Sequence, residues 1–154
     1  EAMYNQVRIP PEDRDALRFL WYDQGKLVCY RMTSHLFGGI WCASSSTYAL
    51  RRMVAESEIA SPLVKDTVNS DFFYVDDCLK SVPSERDCQE VIQETPKVLI
   101  EGGFNLTKFI VNDESLLKSI PENKLAKEVK NIGPDSSGKV LGIRWNVLSE
   151  AFFF

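Results

Sequence analysis

The chain is poor in the residues that build soft-metal and redox sites. Its only histidine is His35, and its four cysteines, Cys29, Cys42, Cys78 and Cys88, include no pair at the close spacing of zinc knuckles or thiol–disulfide motifs. A Cys/His metal centre would have to be assembled from scattered positions. Reduced, packed thiols in an intracellular protein are the simpler expectation. No apolar run approaches the roughly eighteen residues of a membrane span, so no membrane partner is expected. The opening Glu1-Ala2-Met3-Tyr4 has neither a basic segment nor an apolar stretch after it, so no signal peptide is visible. Position 1 is Glu rather than an initiator Met, and the chain is expected to be a piece of something longer. Internal repeats and low-complexity tracts are absent.

Positive charge is also scarce. The formal net charge is -4, against the usual sign for a nucleic-acid binder. The distribution is uneven. Residues 1–52 hold seven Lys/Arg against five Asp/Glu, and residues 53–154 hold eleven against seventeen. Strong duplex affinity is not expected of this chain alone.

What is present supports one ordinary domain: 154 residues, 44% of them hydrophobic, with 17 aromatics. Residues 1–7 read as a helix tail or a strand–helix junction, stopped by Pro10-Pro11. Ala16–Tyr22 and Leu27–Met32, separated by Asp23-Gln24-Gly25, read as a hairpin. After a loop at Phe37-Gly38-Gly39, the pattern predicts a helix over 44–57, capped by Ser44 or Ser45, with Ala49, Leu50, Met53 and Val54 as its apolar face. Val68–Tyr74 and Cys78–Val82 read as a second hairpin with Val75-Asp76-Asp77 at its tip. A helix follows from Ser84, which with Asp87 resembles a capping box, although Glu is the usual third-position partner. Cys88, Val91, Ile92, Thr95 and Leu99 share one of its faces, Pro96 should kink it, and Gly102-Gly103 should end it. Phe104–Val111 and Val140–Trp145 read as strands. The charged stretch 113–138 reads as an insertion with a short helix around 124–130. Phe152-Phe153-Phe154 is an apolar end exposed unless something packs on it.

The chemistry lies in Tyr74-Val75-Asp76-Asp77. Two carboxylates this close repel, and one would ordinarily keep its proton. A divalent cation removes that penalty. Mg²⁺ takes hard oxygen ligands, few of them from protein, and completes its shell with water and phosphate. Two such ions about 4 Å apart suit in-line nucleotidyl transfer. Because residues alternate faces along a strand, both aspartates serve only if the turn reorients one, and Asp76 is the stronger ligand candidate. The competing expectation is a surface turn that happens to hold two aspartates.

With these residues on the page, the chain resembles the reverse transcriptase of BEL/Pao-type retrotransposons, in collinear blocks over nearly its whole length. The blocks are Met3–Val7 with Pro10–Arg14; Leu17–Trp21 with Tyr30–Met32; Phe37-Gly38-Gly39 with Tyr48–Arg52; Tyr74–Asp77; Gly102–Phe109; and Val140–Trp145. The resemblance implies an α/β (α+β) palm, an antiparallel sheet backed by helices with part of the fingers. Residues 1–52 would be the fingers/palm hairpin, loop and helix, and 53–111 the palm with the acidic hairpin. Residues 112–139 would be the insertion, and 140–154 the start of the primer grip.

The implied activity is RNA-directed DNA polymerisation with two Mg²⁺ ions, Mn²⁺ substituting. The partners would be a primed RNA or DNA template and deoxynucleoside triphosphates, within a larger polyprotein. Asp76 and Asp77 would be catalytic metal ligands. Lys108 would act toward pyrophosphate, where a lysine helps electrostatically even without donating a proton; the competing view is a solvated lysine. Tyr4 would lie under the incoming sugar and exclude a 2′-hydroxyl, unless it is simply a core tyrosine. Phe37, Gly38, Gly39 and Tyr74 would adjoin the nucleotide. Arg51, Arg52, Gly142 and Trp145 would contact nucleic acid, although the two arginines also suit a solvated helix face.

The departures are specific. The family's third aspartate would fall two residues before Glu1. Cys42-Ala43 stands where Ser-Pro is frequent, and Asn146 and Glu150 where aspartates are. Pro96 interrupts a helix that should be continuous. These features suit a truncated or decaying element, inactive as this fragment, with a non-catalytic binding module as the alternative.

Overall fold

A computed structural model describes residues 2–127, 137–140, 142–146, 149 and 151–153. The chain is mixed α/β, with helices and small antiparallel sheets. Helix α1 (Met3–Gln6) leads through a 3-10 segment (Pro11–Leu17) to strands β1 (Arg18–Asp23) and β2 (Lys26–Arg31). Helices α2 (Cys42–Glu56) and α3 (Pro62–Asn69) precede a short hairpin, β3 (Phe73–Tyr74) and β4 (Asp77–Cys78). Helices α4 (Glu85–Glu101) and α5 (Glu114–Ser119) follow, then β5 (Ser137–Val140), β6 (Ile143–Asn146) and β7 (Ala151–Phe153). Among the described residues the strands form three separate sheets, ordered β1-β2, β3-β4 and β5-β6-β7.

The main core is helical. Leu50 and Val54 of α2, Val64 and Val68 of α3, and Val98 and Leu99 of α4 are buried together, each pair falling on one helix face. Met3 of α1, Phe73 of β3 and Phe104 seal its edges. A smaller cluster unites Val111, Leu116, Leu117 and Ile120 with the half-buried Cys88 and Ile92.

The β1–β2 hairpin forms as expected, pairing Arg18 with Arg31 through Asp23 with Lys26 around Gln24-Gly25. It does not join the core. Leu20, Trp21, Tyr22 and Leu27 are all more than half exposed.

Several boundaries depart from the sequence expectation. Helix α2 starts at Cys42, not Ser44, and without a side-chain cap, because Cys42 is buried and its N–H already reaches the Gly39 carbonyl. Val68 and Asn69 belong to α3, so the strand before the aspartates shrinks to Phe73–Tyr74. Helix α4 runs through Pro96, the proline removing one donor from its ladder without ending it. Phe104–Val111 is not a strand: Lys108 turns to φ 60, and only Phe109 bridges, in parallel, to Leu125. Val140–Trp145 is broken at Gly142, φ 85, into two strands of a meander. The insertion contains α5, capped by Asp113, and a 3-10 turn at Glu122–Lys124 in place of the expected helix, whose end lies outside the described residues. Phe152 of the apolar end stacks on Trp145 at 6.4 Å; Phe154, like Glu150, lies outside the described residues.

Candidate functional site

The acidic hairpin is as tight as an antiparallel turn allows. Phe73 pairs with Cys78 and Tyr74 with Asp77, leaving Val75 and Asp76 as a two-residue turn. Such turns need a positive φ at their first central residue, a position that normally selects Gly or Asn. Here Val75 holds it at φ 56. A β-branched residue in that region is a genuine outlier, costing about 1–3 kcal/mol, and such strain concentrates at functional sites.

The sequence around the turn supplies what holds it. Phe73 is anchored in the core. The Leu79 N–H donates to the Phe72 carbonyl at 2.9 Å, continuing the hairpin below its strands. Lys80 closes the base: its Nζ lies 2.5 Å from Asp66 Oδ2 of α3 and 4.0 Å from the centre of the Phe72 ring, with its side chain only 7% exposed. The hydrogen bond from Lys80, and then that from Ser70, hold the Asp66 carboxyl below the usual carboxylate range. Cys78 keeps solvent contact as a residue, yet the atoms packed around its sulfur push the thiol up to about 11, against a weaker opposing pull from Lys80. The exposure describes the whole residue and the shift describes the sulfur; the sulfur governs its reactivity.

Asp76 sits in the turn itself, outside the alternation of the strands, and Asp77 shares the strand face of Tyr74. All three are exposed. Among the described residues neither aspartate's carboxylate enters an ion pair or a hydrogen bond. Two free adjacent carboxylates are a hard-oxygen donor pair, and that pair fits Mg²⁺, which takes one or two protein carboxylates and fills its shell with water and phosphate. Among the described residues no three His, Cys, Asp or Glu side chains gather as a metal-holding group.

The other expected residues fall into separate places. Tyr4 and Phe37 do meet: their ring centres are 4.7 Å apart, edge to face at 89°. The contact follows from the backbone, because residues 7–9 run beside 33–35. The His35 N–H donates to the Val7 carbonyl and the Ile9 N–H to the Thr33 carbonyl. Gly38 takes φ 94, which a side chain would resist. Beside it, any Cβ on Gly39 would fall 2.6 Å from Cys42 Sγ, so the loop lies flat on the start of α2. Cys42 Sγ is also 3.6 Å from His35 Nδ1.

Arg51 points one guanidinium nitrogen at the Ser70 carbonyl (3.4 Å) and Asp71 (3.5 Å), tying α2 to the segment before β3. Arg52 is held by Glu56 at 2.5 Å and Tyr48 at 3.2 Å. Lys108 is exposed, and no ion pair or hydrogen bond links it to Asp76 or Asp77. Gly142 lies in the turn between β5 and β6 and Trp145 in β6 of the third sheet, where Trp145 packs on Ala126. A shallow cavity of about 460 Å³ between Ser61 and the polar face of α4 contains none of these residues.

Sequence reasoning missed Val75 and Lys80. Nothing marks Val75 beforehand, since valine is the residue a strand would choose. The burial of Lys80 depends on α3, which was itself not foreseen. No family model, no curated protein and no solved structure matches the chain. No helix among the described residues is long and apolar enough to cross a membrane.

Proposed function

We propose that this chain is the palm-and-fingers part of a BEL/Pao-type retrotransposon reverse transcriptase, adding deoxynucleotides to a primer 3′-hydroxyl. The observation that carries the proposal is the acidic turn: two adjacent, exposed, unpaired aspartates on a strained two-residue hairpin that is anchored from below. When bound, Mg²⁺ or Mn²⁺ would lower the barrier to attack by the 3′-hydroxyl and neutralise charge developing on the leaving pyrophosphate. Asp76 and Asp77 would hold the ions. Among the described residues no third carboxylate gathers with this pair.

The remaining residues have positioning roles in this scheme. Tyr4, braced edge-on by Phe37, limits space at the 2′ position of the incoming sugar. Gly38 and Gly39 let the backbone approach the nucleotide, and Tyr74 flanks the acidic pair. Lys108 adds positive charge toward the pyrophosphate side. Arg51, Arg52, Gly142 and Trp145 face primer and template. The two arginines reach phosphate by exchanging exposed ion pairs that are individually weak.

One observation favours a second reading, a relic that binds nucleic acid or protein without catalysis. The acidic hairpin has only two residues per strand and stands apart from the other two sheets. Primer extension by the chain fused to an added N-terminal segment that supplies the family pattern's third aspartate decides between them. The polymerase reading predicts extension that Asp76→Asn reduces about a hundredfold or more. The relic reading predicts no extension, and binding indifferent to that substitution.

A further inference from the structure

We infer that Lys80 is a positioning residue for the acidic turn, holding Asp76 and Asp77 in the geometry a divalent cation would use. The inference rests on the polymerase reading for what the turn is for, and on the hairpin alone for how the turn is held.

A two-residue turn with valine at positive φ opposes its own formation. Two strands of two residues each cannot hold it, since isolated two-stranded ladders are marginal even when longer. The restraint has to come from below. Lys80 lies three residues beyond Asp77, and its ammonium group makes two contacts, one outside the hairpin and one on its other leg. One is the ion pair with Asp66 of α3 at 2.5 Å, and the other is the face of Phe72 at 4.0 Å, on the strand leading up to the turn. Because its side chain is almost fully buried, both contacts act with little solvent screening on the lysine side. The Leu79 N–H to Phe72 carbonyl bond lies at the same level and closes the same ring of contacts. The lysine therefore joins both legs of the hairpin to α3, and through Val64 and Val68 to the core.

Charge and clamping predict opposite signs. A lysine near two carboxylates repels an incoming cation, so neutralising it by charge alone would strengthen cation binding. If Lys80 acts by holding the turn, neutralising it weakens binding, because the two carboxylates lose their fixed relation.

The test uses the isotope-labelled chain and two readouts. The first is amide hydrogen exchange without metal. Lys80→Met should raise exchange at the Leu79 N–H about tenfold and leave Val98 and Leu99 of α4 unchanged, whereas Lys80→Arg, which keeps the cation and its reach, should restore protection. The second is Mn²⁺ titration followed by line broadening at Tyr74, Asp76 and Asp77. Lys80→Met should weaken the apparent affinity several-fold, and Lys80→Arg should recover it. Unchanged Leu79 exchange, or tighter Mn²⁺ binding in Lys80→Met, overturns the inference. If Lys80→Met unfolds the chain, Phe72→Leu removes only the ring beneath the ammonium and must itself raise Leu79 exchange, or the inference fails. Absence of any saturable Mn²⁺ effect in the unaltered chain overturns the polymerase reading instead, while Leu79 exchange still reports whether the clamp exists.

Discussion

The ring of Tyr4 meets the ring of Phe37 edge-on at 4.7 Å, joining the first helix to the loop that precedes α2. The two residues are 33 positions apart, and the contact brings together two blocks singled out separately in the sequence. Edge-to-face pairs contribute about 0.5–1.5 kcal/mol beyond area burial. Phe37 is 74% exposed, so the low end applies. A double-mutant cycle of Tyr4→Leu and Phe37→Leu in urea denaturation should give a coupling near 0.5 kcal/mol. A coupling of zero would mean the rings do not meet in solution.

The end of α4 depends on Gly103. The Phe104 N–H reaches the Leu99 carbonyl and the Gly103 N–H the Ile100 carbonyl, the paired bonds of a Schellman stop, with Gly103 at φ 80. Gly103→Ala should destabilise the fold by about 1–2 kcal/mol, the cost of a left-handed non-glycine residue. The side chain of Gln6, whose Oε1 would lie 2.8 Å from the new Cβ, can swing away and should add little. The shift in urea midpoint checks this.

Leu99→Ala should cost about 2–5 kcal/mol, since Leu99 is fully buried where α2, α3 and α4 meet. Leu20→Ala, in the exposed hairpin, should change stability by less than about 0.5 kcal/mol. Equal effects would mean that the β1–β2 hairpin is packed on something in solution.

Two carboxyls couple stability to acid. Asp66 is held low by hydrogen bonds from Lys80 and then Ser70, and Asp113 by the Ser115 hydroxyl and then the Leu116 N–H at the start of α5. A carboxyl whose folded pKa lies below its unfolded one stabilises the fold at pH values above the unfolded value. That contribution is lost as pH falls through the folded one. Stability should therefore be level near neutrality and decline below the ordinary carboxylate range. Asp66→Asn should reduce stability at pH 7 and flatten the decline. Urea midpoints from pH 7 to pH 3 measure both.

Thiol labelling at pH 8 should order the cysteines. Cys29 is exposed and should react first. Cys78 should lag although solvent reaches the residue, because a thiol pushed up to about 11 is almost wholly protonated there. Cys42 is buried and should react only on unfolding. Mass spectrometry of labelled peptides reads the order.

What the sequence made legible were the elements with local signals. Gln24-Gly25 between two aromatic runs announced the first hairpin. Ser84 with Asp87 at one end and Gly102-Gly103 at the other bounded α4, and the Ser84–Asp87 side-chain bond forms at 2.7 Å. Helix α3 was missed although Ser61 caps it and Pro62 opens it, both recognised start signals. From sequence Val68 reads as part of the strand ahead of the aspartates, because valine suits either. The N-terminus of α2 was misplaced because its start is decided by burying Cys42, not by a hydroxyl cap. At the site, the aspartates and their turn could be read directly. Their support could not, because a lysine buried between an aspartate 14 residues back and a phenylalanine eight residues back has no local signature.

On the polymerase reading, the turn at Val75-Asp76 offers carboxylate oxygen to a divalent cation. Mn²⁺ titration of the labelled chain, followed at every backbone amide, reads this out residue by residue. Saturable broadening should begin at residues 74–78 and be weakened at least about tenfold by Asp76→Asn. Broadening that begins elsewhere, at Glu85 or Asp113 for instance, or that ignores Asp76→Asn, would contradict it.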